Sequence, residues 1–215
     1  MKVVIFGATG TAGGSILKAC ISRPIVEEVR AVSRRPISII NNKLHAFLHE
    51  DYQDYAAVSK AFADVDACLY CLGKSVTQVS GQQEYRRITH DFALAAAQML
   101  KIQSPDAVFH FISGQGTRLD SRFMWARVKA ETEKELMSLG NAVCWRPGFI
   151  DGELSDNSPR LYRIFHPLAK LMKPFRGIYI GGEDIGMAML QATTENIRGR
   201  VIENIEIRAI ADRSR

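Results

Sequence analysis

The sequence feature that most constrains the fold is a glycine-rich turn near the amino terminus. The short apolar run Val3–Phe6 leads into Gly7-Ala8-Thr9-Gly10-Thr11-Ala12-Gly13, and an amphipathic segment follows. In a strand–turn–helix unit, such glycines permit a tight turn, a close backbone approach to a pyrophosphate, and close packing of the helix on the strand. The amino terminus of the helix adds partial positive charge. The turn therefore predicts a site for a dinucleotide.

Strand-length apolar runs alternate with helix-length amphipathic segments through the first part of the chain. The predicted strands are Val3–Phe6, Val29–Val32, Leu44–Leu48, Ala67–Leu72, Val108–Ile112 and Ala142–Trp145. The predicted helices are Ser15–Cys20, Tyr55–Phe62, Glu84–Leu100 and Arg122–Leu139. This alternation is typical of a parallel sheet covered by helices on both faces, so we expect one α/β domain with a Rossmann-type, doubly wound sheet.

The alternation stops after Pro147-Gly148, where we expect a small C-terminal region that covers the substrate end. Residues 151–159 are polar and turn-rich, which indicates a loop. Residues 160–176 are basic and amphipathic, and they predict a helix over one end of the domain; a helix on a membrane surface is the alternative. The expected layout of residues 1–215 is a Rossmann core at 1–150, a covering region at 151–200 with a helix near Asp184–Thr193, and a return strand at Val201–Arg208.

Composition argues against several other classes of protein. The net charge is +5, but the basic residues are dispersed and do not interleave with aromatic ones, so we expect no nucleic-acid partner. No apolar stretch is long enough to span a bilayer, and the run after Met1 is too short for a signal peptide. We therefore expect a cytoplasmic protein that does not bind membranes.

The cysteines and histidines predict neither a disulfide framework nor a metal site. Cys68 and Cys71 have the spacing of a redox pair, but in a strand their side chains point to opposite faces. His45 and His49 are isolated from other ligand residues, so we expect no bound metal. The four cysteines are expected to be thiols.

The end of the second predicted strand indicates which dinucleotide is bound. A site for NAD usually places an acidic residue about twenty residues after the glycine turn, where it binds the ribose hydroxyls. This chain has Ser33-Arg34-Arg35 there. Guanidinium groups bind a 2′-phosphate, which a carboxylate would repel, so we expect NADP rather than NAD. The alternative is that both arginines are merely the solvated end of a strand.

Several further motifs follow the predicted strands. They are Cys71-Leu72-Gly73 after the fourth strand, Ser113 after the fifth, Lys129 in the next helix, and Arg146-Pro147-Gly148 after the sixth. Together with the glycine turn and Ser33-Arg34-Arg35, they make the chain resemble the atypical short-chain dehydrogenase/reductase superfamily over nearly its whole length. The resemblance is closest to the small Tat-interactive-protein type of oxidoreductase.

The resemblance implies roles for individual residues. Ser113 would polarise a substrate carbonyl, and Lys129 would hold the nicotinamide ribose and lower the pKa of a neighbouring acid. Asp51, after the third strand, would lie near the adenine. The residues expected to contact the cofactor are Gly7, Thr9, Gly10, Thr11, Ala12, Gly13, Ser33, Arg34, Arg35, Asp51, Cys71, Leu72, Gly73, Lys129 and Pro147. In the alternative, structural interpretation, Lys129 pairs with Glu133 on a solvated helix face and Ser113 begins a turn.

One position departs from the family pattern. The family uses a tyrosine four residues before the lysine as its proton donor, and this chain has Trp125 there. A neighbouring ammonium can tune a phenol for proton transfer, whereas an indole N–H can donate a hydrogen bond but cannot usefully ionise. The resemblance therefore extends to the fold and the cofactor, but Trp125 lacks the chemistry of the family's proton donor.

Three interpretations of Trp125 stay open. In the first, another group supplies the proton, such as Tyr85, Tyr162 or a water held by Ser113. In the second, the protein binds NADP without turnover and acts as a sensor or regulator through a protein partner. In the third, Trp125 packs outward and the chemistry lies elsewhere in the pocket. We expect NADP-dependent reduction of a small carbonyl substrate, with the non-catalytic NADP-responsive protein as the alternative.

Overall fold

The computed structural model describes residues 1–152, 175 and 177–214, and these form an α/β fold of the Rossmann type. The strands are β1 Lys2–Phe6, β2 Glu28–Ser33, β3 Leu44–Leu48, β4 Ala67–Tyr70, β5 Val108–Ile112, β6 Ala142–Arg146, β7 Phe149–Asp151, β8 Tyr179–Gly181 and β9 Arg200–Glu203. The helices are α1 Thr11–Ser22, α2 Gln82–Arg86, α3 Phe92–Gln103, α4 Met124–Ser138, α5 Gly182–Thr194 and α6 Asn204–Arg213. Short 3₁₀ segments occupy Ala56–Phe62 and Val76–Gln78, and a π-helical turn at Arg87–Asp91 joins α2 to α3.

Seven strands form one parallel sheet in the order β3-β2-β1-β4-β5-β6-β9. The chain moves outward from β1 to β3 and then returns to place β4 on the other side of β1. The order therefore reverses between β1 and β4, and ligands of such sheets bind at that switch point, beyond the carboxyl ends of the strands. The glycine turn follows β1 at this edge. A separate parallel pair, β7 and β8, lies after β6.

The two faces of the sheet carry two apolar layers. Successive residues of a strand point to opposite faces, so Val3 and Ile5 pack in one layer while Val4 and Phe6 pack in the other. The first layer contains apolar residues of α1, α5 and α6, and the second contains those of α3, α4 and the 3₁₀ segment Ala56–Phe62. The same alternation separates Cys68, in the second layer, from Cys71, which packs against the first. All four cysteines are free thiols.

The predicted strands β1 to β6 are confirmed to within two residues at each end, but the end of the chain differs. The return strand expected at Val201–Arg208 is only Arg200–Glu203, and helix α6 begins at Asn204. Ile207, Ile210 and Ala211 have helical spacing and bury one helix face in the first apolar layer, which overrides the strand interpretation. In the covering region, residues 153–174 and 176 lie outside the described residues. These include most of the predicted loop at 151–159, the predicted basic helix at 160–176 apart from Phe175, and Tyr162.

A buried imidazole connects β5 to α5. The indole Nε1 of Trp145 donates to Nδ1 of His110 over 3.1 Å, and Nε2 of His110 donates to Oγ1 of Thr193 over 2.9 Å. His110 is completely buried, and this desolvation lowers the pKa of its imidazole to about 3. The pKa of an unfolded histidine is about 6.5. The neutral ring therefore stabilises the fold fully above pH 6.5 or so, and that contribution is lost as the pH falls toward 3.

Replacing His110 by glutamine should remove this pH dependence. Between pH 7 and pH 5, we expect the wild type to lose about 2 kcal/mol more of its free energy of unfolding than His110→Gln, because only the unfolded wild type gains the extra proton. Urea unfolding at both pH values measures this difference. The other histidines are common to both proteins and cancel. Equal losses in the two proteins would show that His110 does not titrate on unfolding.

Candidate functional site

The glycine turn is closed by contacts that leave no room for side chains. Gly7 has a φ of +74°, and the N–H of Gly10 donates to its carbonyl over 2.9 Å. A Cβ at Gly7 would lie 2.6 Å from the carbonyl oxygen of Cys71, and one at Gly13 would lie 2.1 Å from that of Gly7. The glycine turn is therefore in close contact both with Cys71, which follows β4, and with the first turn of α1.

The first turn of α1 has the properties of an anion site. The first intrahelical bond runs from Gly14 N–H to the carbonyl of Gly10, so the N–H groups of Ala12 and Gly13 precede the hydrogen-bond ladder of the helix. The turn contains no acidic side chain. Because the helix dipole places partial positive charge here, the geometry suits a phosphate group.

A cavity of about 440 Å³ opens at this edge of the sheet. Its size falls within the range usual for cofactor sites. It brings together the turn residues Gly10–Gly13, the segment Cys71–Gly73 and Lys129, which are far apart in the sequence. The lining residues are Gly10, Thr11, Ala12, Gly13, Cys71, Leu72, Gly73, Lys74, Ser75, Gln78, Tyr85, Thr89, Phe111, Ile112, Lys129, Gly148, Phe149 and Ile150.

Lys129 reaches the cavity from α4 and is anchored by the backbone at the end of β5. Its Nζ donates to the carbonyl of Ser113 and, over 3.4 Å, to that of Ile112. Desolvation lowers the pKa of Lys129 to about 8, although the charge of Glu133 opposes this shift. The ammonium is thus fixed in the cavity and holds a proton that it can release near neutral pH.

Glu133 does not form the solvated pair with Lys129 that the alternative interpretation required. Its carboxylate is buried, and it accepts two hydrogen bonds from Arg146, at 3.0 and 2.6 Å. Arg146, at the end of β6, also donates to Glu203 at the end of β9 over 3.0 Å. These ion pairs attach α4, the helix that carries Lys129, to strands β6 and β9.

Ser113 and Trp125 lie beside the cavity but are not among its lining residues. Ser113 is buried, and its Oγ is 3.1 Å from Oγ1 of Thr117. The indole of Trp125 covers the loop after β5: a Cβ at Gly114 would lie 3.8 Å from both Trp125 Cζ3 and Lys129 Nζ. Trp125 therefore neighbours the lysine without facing the cavity. The catalytic role expected of Ser113 stays a prediction.

The residues expected to select NADP lie along the same edge of the sheet, beyond β2 and β3. Arg34 and Arg35 are exposed, and neither forms an ion pair with another described residue. The hydroxyl of Ser33 donates to the carbonyl of Arg35 over 2.6 Å, which shapes this bend. The guanidinium of Arg34 lies 6.0 Å from the ring centre of Tyr52, the residue that follows Asp51 in the sequence. Both guanidinium groups are thus accessible to an anionic ligand.

Some expected contact residues have supporting positions instead. Gly7 and Thr9 belong to the turn but do not line the cavity, and neither does Asp51, whose carboxylate accepts from the N–H of Gln53 over 2.9 Å. Pro147 is buried, and its carbonyl accepts from Gln115 N–H over 2.9 Å. Its neighbour Gly148 lines the cavity in its place.

The sequence analysis missed several lining residues. Ser75 and Gln78 form a capping box around the 3₁₀ segment Val76–Gln78, and their Ser-x-x-Gln spacing is a recognisable signal. Thr89 carries no such signal, and it lies in a π-helical turn that the sequence pattern did not predict. Phe149 and Ile150 line the cavity from β7, a strand that the sequence pattern did not predict.

Within residues 1–152 and 177–214, no three histidine, cysteine, aspartate or glutamate side chains are grouped closely enough to hold a metal ion. In the same part of the chain, none of the helices combines the length and apolar character that crossing a bilayer requires.

Comparison with known proteins shows relatives of low identity and a widely shared fold. No family model matches the chain. A Candida albicans protein named "Protein FMP52, mitochondrial" is 23% identical over 221 residues, which covers 96% of this chain and 94% of that protein. An oxidoreductase of the short-chain dehydrogenase/reductase family from Burkholderia thailandensis superposes with a TM-score of 0.73 at 13% identity, covering 94% of this chain and 90% of the other. The Bordetella bronchiseptica enzyme WbmF, solved in complex with NAD+, gives a TM-score of 0.73 at 12% identity, covering 99% and 77%.

These comparisons correct one prediction and confirm another. Relatives from Candida albicans, Aspergillus terreus and Saccharomyces cerevisiae are all named as mitochondrial proteins, which contradicts the predicted cytoplasmic location. That prediction rested on the lack of a secretory signal core, a criterion that does not separate the cytosol from an organelle. The structural neighbours confirm the fold: the chain has the α/β Rossmann fold of short-chain dehydrogenase/reductase-type proteins.

Proposed function

We propose that this chain binds NADP in the cavity beyond β1 and β4 and reduces a small carbonyl compound. It would do so as an atypical short-chain dehydrogenase/reductase of the small Tat-interactive-protein type. The observation that carries the proposal is the meeting of the glycine turn, the segment Cys71–Gly73 and Lys129 around one cavity of cofactor size.

The residues present suit a nicotinamide dinucleotide. A Cβ at Gly13 would fill the space against the Gly7 carbonyl, so the turn keeps the bare backbone that a pyrophosphate needs. The N–H groups of Ala12 and Gly13 would hold that pyrophosphate, and Lys129 would hold the nicotinamide ribose. The bound nicotinamide would supply a hydride. The presence of NAD+ in WbmF, which shares the fold, supports the choice of cofactor class.

A comparison of the affinities for NADPH and NADH tests the role proposed for Arg34 and Arg35. We expect the wild type to bind NADPH about 10- to 100-fold more tightly than NADH, because hydrogen bonds to charged groups contribute about 1.5–3 kcal/mol. In the double variant Arg34→Gln, Arg35→Gln, the affinity for NADPH should fall to that for NADH. Titration calorimetry measures both ligands.

A matched control uses an exposed arginine at the opposite end of the sheet. Arg200 begins β9 and pairs with Glu206 on the surface. The variant Arg200→Gln should leave the NADPH preference unchanged. If the wild type binds both cofactors equally, the arginines do not select NADP.

Turnover is tested with a panel of small aldehydes and ketones. Oxidation of NADPH that depends on the carbonyl compound, followed by its absorbance, supports the reductase. The alcohol product identifies the substrate class. A protein that binds NADPH tightly and oxidises it with no compound of the panel contradicts the reductase.

Such an outcome would support a second candidate, a non-catalytic NADP-responsive protein that acts through a protein partner. One observation favours it: the position of the family's proton donor holds Trp125, whose indole packs on the loop at Gly114 and Gly116. An indole does not donate a proton in a reductase. Binding with no turnover is the result that this candidate predicts.

A further inference from the structure

Two hydroxyl-bearing residues from one helical segment line the cavity that contains Lys129. Tyr85, on α2, and Thr89, in the π-helical turn, are only 3% and 4% exposed. They are four residues apart, a spacing that places them on one side of a helix. Thr89 is close enough to Tyr85 to act on the pKa of its phenol, which it lowers against the larger effect of burial. The phenol is therefore buried in the cavity wall next to Thr89.

The π-helical turn that follows Tyr85 is fastened to α4. The guanidinium of Arg86 pairs with Glu131, and Nε2 of His90 lies 2.9 Å from a carboxylate oxygen of Glu135. Both carboxylates belong to the helix that carries Lys129. π-Helical turns inside helices are frequent at functional sites. These pairs fix the segment that holds the phenol relative to the helix that holds the ammonium.

Apart from Tyr85 and Lys129, the ionisable groups among the described lining residues are poor proton donors. Burial raises the pKa of the Cys71 thiol far above its ordinary range. Lys74 is paired with Glu84 at 3.3 Å. Trp125 does not line the cavity. Burial also raises the pKa of Tyr85, which keeps the phenol protonated before reaction, as a donor must be.

We propose that Tyr85 is the catalytic residue that donates a proton to the substrate carbonyl oxygen, in place of the phenol missing at position 125. This inference rests on the proposed reductase function. The carbonyl carbon accepts a hydride from a reduced nicotinamide dinucleotide as the C=O π electrons move to oxygen. The O–H bond of Tyr85 breaks, and its proton completes the alcohol. The phenolate that is left regains a proton from solvent or from Lys129, which lines the same cavity.

The test replaces Tyr85 by phenylalanine, which removes only the hydroxyl. With NADPH and the best compound of the carbonyl panel, kcat should fall about 100-fold or more, as expected for loss of a general acid. The dissociation constant for NADPH should stay within about threefold of the wild-type value, because the phenol does not hold the cofactor. Circular dichroism verifies that the variant is folded.

The matched control is Tyr55→Phe. Tyr55 is another buried tyrosine, whose hydroxyl contacts the carbonyl of Phe92 over 3.4 Å and which does not line the cavity. This variant should keep the wild-type kcat. If Tyr85→Phe is folded, binds NADPH and keeps more than a third of the wild-type kcat, Tyr85 is not the donor, whereas the reductase function stands. If the wild type turns over no compound, both the function and the donor are wrong.

Discussion

Replacing Arg146 by methionine is expected to lower the free energy of unfolding by about 3–5 kcal/mol, the usual cost of breaking a buried ion pair from one side. The side chain of Glu133 is 5% exposed, and both of its oxygens accept hydrogen bonds from Arg146. Without the guanidinium, a buried carboxylate has lost its countercharge, and the packing of α4 leaves little room for water. Urea unfolding at pH 7 measures the loss.

The control for Arg146 is an ion pair of similar geometry on the surface. Arg213 contacts Glu195 at 2.8 Å, and both side chains are largely solvated. Arg213→Met should cost less than about 1 kcal/mol. Adding Glu133→Met to Arg146→Met should recover most of the stability, because no buried charge is then left unpaired. If Arg146→Met costs no more than Arg213→Met, the pair does not stabilise the attachment of α4 to the sheet.

The second large effect is expected from Gly13→Ala, which should weaken NADPH binding about 100-fold or more. The new Cβ would lie 2.1 Å from the Gly7 carbonyl oxygen and 2.6 Å from its carbon. Backbone must therefore move, and such overpacking costs about 1–3 kcal/mol in stability. The movement separates the glycine turn from the first turn of α1, whose N–H groups would hold the pyrophosphate. Calorimetry measures binding, and thermal unfolding measures the strain.

Gly14, the next residue in the helix, provides the comparison. A Cβ there would lie 3.3 Å from the Ala8 carbonyl oxygen, a contact that a small shift relieves. Gly14→Ala should therefore keep NADPH binding within about threefold of the wild type, and it gains up to about 1 kcal/mol of helix propensity. Wild-type affinity in Gly13→Ala would contradict the placement of the cofactor phosphates.

The parts of the fold that the sequence predicted are those set by local patterns. Strands β1, β4 and β5 are nearly continuous apolar runs, as expected for buried parallel strands. The glycine turn could be recognised because the positive φ of Gly7 and the contact of Gly13 with the Gly7 carbonyl are local constraints. The family resemblance implied a cofactor-binding role for Cys71–Gly73, and this segment lies beside the glycine turn because β1 and β4 end at the same edge of the sheet.

The features that the sequence did not predict depend on contacts between residues that are far apart in the chain. In the alternative interpretation Glu133 was a partner of Lys129 because it lies four residues away, but the guanidinium of Arg146 binds it from β6 instead. Thr89 lines the cavity together with residues from distant segments, such as Lys129, and no local sequence pattern marks it. Helix α6 was taken for a strand, since a short apolar run does not reveal what will cover it.

The close packing of α1 against α5 has a consequence for the order in which the chain folds. Leu17 of α1 shares an apolar layer with Ile185 and Met189 of α5, and a Cβ at Gly186 would lie 2.8 Å from that of Ala19. A ribosome adds roughly 5–20 residues per second, so it makes Leu17 roughly 10–30 s before Ile185. During that interval, the face of α1 that packs on α5 has no partner helix. The first βα unit therefore reaches its final packing only after α5 has been made.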